Sequence, residues 1–158
     1  VNSIGFGAFY GCTGELIVNC NIPSPIYGNY YGYGAFCDSK FTSVFIGDGV
    51  TKIGDNAFCN CRDLISITIS NSVTSIGKKA FDGCSKLTSI TIPNSVISIG
   101  HMAFRGCTGE LNVNCNIPSA QDYNKNAFLV SKNKKFCEKV SKIVCRMLFL
   151  LRPNQKGM

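Results

Sequence analysis

The sequence lacks any run of roughly 18 uninterrupted apolar residues, which excludes a membrane-spanning helix. Its opening segment, VNSIGFGAFYGC, has neither the basic nor the apolar region of a signal peptide. Charge is scarce, at 16% of 158 residues, while hydrophobic residues reach 45%. That balance excludes a disordered chain, because the apolar surface available for burial offsets the entropy lost on ordering. Histidine occurs once, as His101, so zinc sites built on histidine pairs are excluded and any histidine-activated nucleophile would depend on that residue alone.

The net charge of +7 suggests a polyanion-binding protein until it is divided by segment. Residues 1–124 hold seven Lys and Arg against eight acids, whereas residues 125–158 hold nine against Glu138 alone. All of the excess lies in the tail, so no nucleic-acid partner is expected for the main body.

What the sequence has in abundance is repetition. The pair Ala-Phe ends at Phe9, Phe36, Phe58, Phe81, Phe104 and Phe128, and the clearest units, RDLISITISNSVTSIGKKAFDGC and SKLTSITIPNSVISIGHMAFRGC, occupy residues 62–84 and 85–107. The period is about 23 residues, and a longer one is superposed on it, since TGELIVNCNIPS at 13–24 returns as TGELNVNCNIPS at 108–119. In each unit an alternating segment rich in Ile and Thr (Leu64, Ile67, Ile69; Leu87, Ile90, Ile92) reads as a short strand with one face inward. A turn-forming cluster follows, then a second extended segment at Val73–Ile76 and Val96–Ile99. Gly-x-x-Ala-Phe-x-Gly-Cys, the closing motif, reads as one helical turn. A unit of this size cannot bury its own apolar face, so the units must stack at the parallel-strand spacing of about 4.8 Å into a rod about 25 Å long, with the phenylalanines forming a continuous core.

The units LTSITIPNSVISIGHMAFRGC and LISITISNSVTSIGKKAFDGC resemble the BspA-type leucine-rich repeats of bacterial and some protist surface proteins, over about residues 1–128. The expected fold is a repeat solenoid: a right-handed leucine-rich-repeat coil of short parallel β-strands, with little helix outside the C-terminal tail. The resemblance implies a secreted or cell-surface protein with a role in adhesion or host-protein binding. The chain begins in mid-repeat, as expected of a fragment of a longer array, and residues 129–158 replace the repeat with a basic tail.

Ten cysteines are the most tempting chemistry. Cys12, Cys61, Cys84 and Cys107 share the closing position, and Cys20 and Cys115 end equivalent strands. They are read as buried thiols, because parallel Cβ vectors oppose disulfides between successive units of that column. Cys59-Asn60-Cys61 is half of a metal site with no second half. His101 falls at a variable repeat position and reads as solvated, while Asp48, Asp55, Asp63 and Asp82 read as turn or exposed residues. No catalytic, metal or cofactor site is expected, and Gly54, Gly77 and Gly100 recur as turn residues rather than as a phosphate loop.

The surface best suited to binding is the outward strand face, where alternation places Ser43, Phe45, Ser66, Thr68, Ser89, Thr91, Asn112 and Asn114, with Ile17 and Asn19 beside them. Such a hydroxyl and amide grid suits an extended protein segment or a glycan, unless these residues serve strand propensity and solubility alone. Tyr27, Tyr30, Tyr31 and Tyr33 form an aromatic cluster that reads either as a packed loop or as a contact patch. In the tail, Phe136, Val140, Ile143, Val144, Met147, Leu148 and Leu151 follow helical spacing with lysines between them. This amphipathic segment is read as a solenoid cap, as the product of a reading-frame change, or as a membrane or nucleic-acid contact. The sequence thus points to a non-enzymatic binding module, with a structural spacer as the alternative.

Overall fold

A computed structural model describes residues 4, 7–24, 34–108 and 110–113. The tyrosine cluster at Tyr27, Tyr30, Tyr31 and Tyr33, together with Asn114, Cys115, Phe128 and the tail 129–158, lies outside the described residues.

The Ile-Thr segments form parallel strands, and their pairing follows the repeat. In chain order the strands are β1 (Thr13–Val18), β2 (Lys40–Ile46), β3 (Lys52–Ile53), β4 (Ser66–Ile69), β5 (Ser75–Ile76), β6 (Ser89–Ile92), β7 (Ser98–Ile99) and β8 (Glu110–Val113). They build a five-stranded sheet, β1-β2-β4-β6-β8, and a three-stranded sheet, β3-β5-β7. Three successive units (β2/β3, β4/β5, β6/β7) each contribute a longer strand to the first sheet and a two-residue strand to the second, so the described residues form a β-solenoid of about three turns. Alternation sets which side chains enter the core: in β4 Ile67 and Ile69 are buried while Ser66 and Thr68 are exposed.

The core follows the axis. Phe36, Phe58, Phe81 and Phe104 are all but fully buried, and their rings stack at centroid distances of 4.9, 5.4 and 5.3 Å with interplanar angles of 10° or less. Phe9 continues the stack at 4.9 Å from Phe36 but is tilted by 32° and only half-buried. Leu64 and Leu87 line the strand side, and Val50, Val73 and Val96 the opposite side, all without exposure.

The closing motif departs from the expected helical turn. No helix forms among the described residues; the segment instead runs as consecutive turns whose amides bond to the next unit. Phe58 N–H donates to the Ala80 carbonyl at 2.7 Å and Phe81 N–H to Ala103 at 2.7 Å, with Asn60 to Asp82 and Gly83 to Arg105 alongside, each also at 2.7 Å. A helix would direct these donors along its own chain. Left-handed residues prevent that, since Asn56, Lys79 and Met102 sit at φ 54°, 53° and 57°, and Asn60, Gly83 and Gly106 at 58°, 79° and 76°. Gly7 occupies the position equivalent to Lys79, at φ 57°. Lys79→Gly is therefore expected to raise stability by about 0.5 kcal/mol, the left-handed penalty outweighing the added chain entropy. A higher urea midpoint with an unchanged slope is the expected readout.

Candidate binding face

The register of the large sheet fixes what its outer face presents. Glu15 pairs with Ser43, Ser43 with Ser66, Ser66 with Ser89 and Ser89 with Glu110, giving one row across all the strands. Two residues along, Ile17 pairs with Phe45, Phe45 with Thr68, and Thr91 with Asn112. The intervening row runs through Leu16, Val44, Ile67 and Ile90, of which Val44, Ile67 and Ile90 are buried. Because the units are nearly equal in length, like meets like: the middle of the first row is serine, and Thr68 and Thr91 hold the same repeat position.

Exposure divides this face in two. Ile17 and Phe45, adjacent through the register, leave 69% and 48% of their surface open to solvent. Ser66, Thr68 and Thr91 are exposed and Ser43 is half-buried. Threonines elsewhere in the coil use their hydroxyls internally. Thr74 Oγ1 donates to the Thr51 carbonyl at 3.0 Å, and Thr88 Oγ1 to Ile65 at 3.2 Å. Among the described side chains, the hydroxyls of Ser43, Ser66, Thr68 and Thr91 take no such partner. The result is a surface with an apolar pair, Ile17 and Phe45, at one end, serine and threonine hydroxyls across its middle, and the exposed Glu15 at its edge.

The cysteine column is buried in part. Cys61, Cys84 and Cys107 are without exposure, and each thiol donates to the carbonyl of the phenylalanine one unit earlier: to Phe36 at 3.0 Å, Phe58 at 3.2 Å and Phe81 at 3.2 Å. Burial pushes the Cys61 thiol up to about 11. Contact with Cys107, together with burial, pushes Cys84 well above the ordinary thiol value. Cys12, expected in this buried column, is exposed instead, and Cys20 is half-buried rather than inward. Cys12 lies just before β1 in a turn whose Tyr10 and Gly11 are also exposed; β1 has already turned Val18 inward before the chain bends at Cys20.

Asp82 also departs from expectation, being buried rather than exposed, at 5%. Arg105, one unit on, reaches back to it with Nε–Oδ1 2.7 Å and Nη2–Oδ2 2.5 Å, a two-pronged grip that satisfies a carboxylate removed from water. The same bond raises the Arg105 guanidinium. Asp63 is paired with Lys86 at 2.7 Å, and that ammonium holds its carboxyl below the usual range.

His101 is half-buried, along an open groove of about 470 Å³ that also borders Lys52, Asp55 and Lys78. Asp55 is engaged there, accepting from the Lys78 backbone N–H at 2.8 Å. Cys59 and Cys61, which in the sequence read as half of a metal site with no second half, differ in burial: Cys61 is in the core and Cys59 is half-buried. Among the described residues no group of three or more His, Cys, Asp and Glu is placed to hold a metal ion.

The model of the BspA type leucine-rich repeat region, in six copies, matches residues 1–108 and 29–144. A leucine-rich repeat protein from Bacteroides ovatus is similar at 30% identity and TM-score 0.43, over 62% of this chain and 30% of that one. A leucine-rich cell surface protein from Faecalibacterium prausnitzii is similar at 24% identity and TM-score 0.38, over 63% of this chain and 35% of that one. The chain thus spans about a third of the length of either structure. No curated protein matches. The repeat period, the stacked phenylalanine core, the paired parallel strands and the family match agree, and the chain belongs to the BspA-type leucine-rich repeat family.

Proposed function

We propose that this chain is a non-enzymatic binding module of a cell-surface or secreted protein, and that it engages an extracellular protein through the outer face of the five-stranded sheet. The observation that carries the reading is the juxtaposition of Ile17 and Phe45, exposed and adjacent, with serine and threonine hydroxyls that no described side chain uses. An apolar anchor beside unfilled hydrogen-bonding groups on a fixed backbone suits recognition at little ordering cost. An extended segment laid across the strands would meet a repeating spacing of about 4.8 Å. The surface location rests on the resemblance to the family, and a glycan is the secondary ligand class for the same hydroxyl grid.

The test is a binding screen against immobilised extracellular-matrix proteins and a glycan array, followed by Ser66→Arg combined with Ser89→Arg, and separately by Phe45→Ala. Both variants are expected to lose at least tenfold in affinity while melting within about 2 °C of the parent, since surface changes of this kind alter stability little. Retained binding in both would remove the strand face from the interaction. A chain that binds nothing in the screen would favour a spacer that holds another domain at a distance.

A further inference from the structure

The open groove of about 470 Å³ runs over the second sheet, β3-β5-β7, and shares no residue with the candidate binding face. Register sets what it presents. Lys52 pairs with Ser75 and Ser75 with Ser98, so one row holds an ammonium group followed by two hydroxyls. Three residues on, the equivalent repeat positions hold Asp55, Lys78 and His101. Backbone bonds lock the turns together: Gly77 N–H donates to the Ile53 carbonyl and Gly100 N–H to Ile76, both at 2.8 Å, and Lys79 N–H donates to His101 at 2.9 Å. Lys52, Lys78 and His101 thus stand on three successive turns, within about 10 Å along the axis.

The polar groups of this groove are not consumed by the fold. Among the described residues the ion pairs join Lys86 to Asp63 and Arg105 to Asp82, so Lys52 and Lys78, both exposed, carry charges that no described acid pairs. The one carboxylate in the lining, Asp55, is engaged through Oδ1 by the Lys78 backbone N–H at 2.8 Å. The half-buried hydroxyls of Ser75 and Ser98 take no partner among the described residues. Apolar surface is missing, since Ile76 and Ile99 are 1% and 2% exposed, and no described aromatic residue lines the groove. We propose that this groove is a second binding site and that it takes an acidic polysaccharide, whose carboxylate or sulfate groups meet Lys52 and Lys78 while its hydroxyls meet Ser75, Ser98 and the His101 imidazole.

The lining decides between classes of polyanion. A protein partner is held by an apolar centre ringed with polar contacts, and the groove has no such centre, so an acidic peptide would gain from charge alone. Single-stranded nucleic acid is held by bases stacked on aromatic rings, which the lining lacks. An acidic polysaccharide needs neither. It presents anions at intervals along an extended chain with hydroxyls between them, and the groove presents ammonium groups on adjacent turns with hydroxyls between them. Gly77 and Gly100, in the lining between the two rows, put no side chain in the way of a sugar ring. The site is independent of the outer face of the five-stranded sheet, because it uses other residues and recognises charge where that face offers an apolar pair.

His101 is the single histidine, so its imidazole Cε1–H gives one NMR resonance that reports on the groove in the full-length chain. The chain is titrated at fixed pH and salt with a heparin hexasaccharide, a hyaluronan hexasaccharide, a neutral dextran oligomer and a poly-glutamate peptide. A saturable shift of the His101 resonance is expected with heparin. A matching shift with hyaluronan assigns the recognition to carboxylates, and a shift with heparin alone assigns it to sulfates; either upholds the proposal. Lys52→Gln combined with Lys78→Gln is expected to raise the concentration for half the shift about fivefold, the worth of two exposed ion pairs, and Phe45→Ala is expected to leave it unchanged. Heparin held by the basic tail alone would leave the His101 resonance in place, and that result overturns the proposal. So does an unchanged titration in the double lysine variant, an equal shift with dextran, or a shift with poly-glutamate at a lower concentration than with either glycan. Both lysines are exposed, so their replacement leaves the fold intact.

Discussion

Phe81→Ala is expected to cost about 3–5 kcal/mol, as befits a core ring stacked on both sides. The ring is fully buried, and it stacks on Phe58 at 5.4 Å and on Phe104 at 5.3 Å. Its removal therefore opens a void at two unit interfaces together. In a solenoid each unit is held mainly by its neighbours, so stability is a sum of unit and interface terms, and a defect in both interfaces of one unit cannot be absorbed elsewhere. Phe9→Ala provides the comparison, since that ring is tilted and half-buried; it should cost about 1 kcal/mol, in proportion to the apolar area it withdraws from water. Urea denaturation followed by circular dichroism measures both. Equal losses at the two positions would show that the stack is not what holds the turns together.

The features legible in the sequence are those written along the chain at short range. Alternation of Ile with Ser and Thr in the ITI segments assigns the two faces of β4, and the Ala-Phe period marks the axial stack. The closing motif was misread as helical because Ala, Phe and small residues at close spacing look helical locally. Only the left-handed angles at Asn56, Lys79 and Met102 show that its donors serve the next unit. What was missed lies down the columns. Asp82 reads as exposed because its partner Arg105 is 23 residues distant, and Cys59, read as half of a metal site with Cys61, shares its repeat position with Cys37, 22 residues back. Comparing equivalent positions between units, instead of adjacent positions within one, would have revealed both. The hydroxyl face was legible as geometry, since alternation placed it outward, but a partner leaves no trace in a periodic pattern.

Gly77→Ala is expected to cost about 3 kcal/mol although it adds a single methyl group, and the reason separates two columns of glycine that look alike in the sequence. A Cβ built on Gly77 would lie 2.6 Å from the Asp55 backbone nitrogen and 2.6 Å from the Gly54 carbonyl carbon, inside the 3.0 Å that real Cβ atoms keep. The atoms in the way are backbone of the preceding turn. They cannot rotate aside, so the turns must separate and stretch the Gly77 N–H bond to the Ile53 carbonyl, now 2.8 Å; overpacking of this kind costs about 1–3 kcal/mol or more. Gly54 and Gly100 meet the preceding turn in the same way. Gly83 and Gly106 differ, because a Cβ there meets no backbone atom closer than 3.5 Å and the constraint is φ, at 79° and 76°. Asp38 and Asn60 occupy that column at φ 57° and 58°, so a side chain is tolerated, and Gly106→Ala should cost about 1 kcal/mol. Thermal melting of the two variants beside the wild type tests the distinction. A deep loss for Gly77→Ala with a shallow one for Gly106→Ala means that the backbone of one turn rests directly on the next at the first column; equal losses would mean that backbone angle alone governs both.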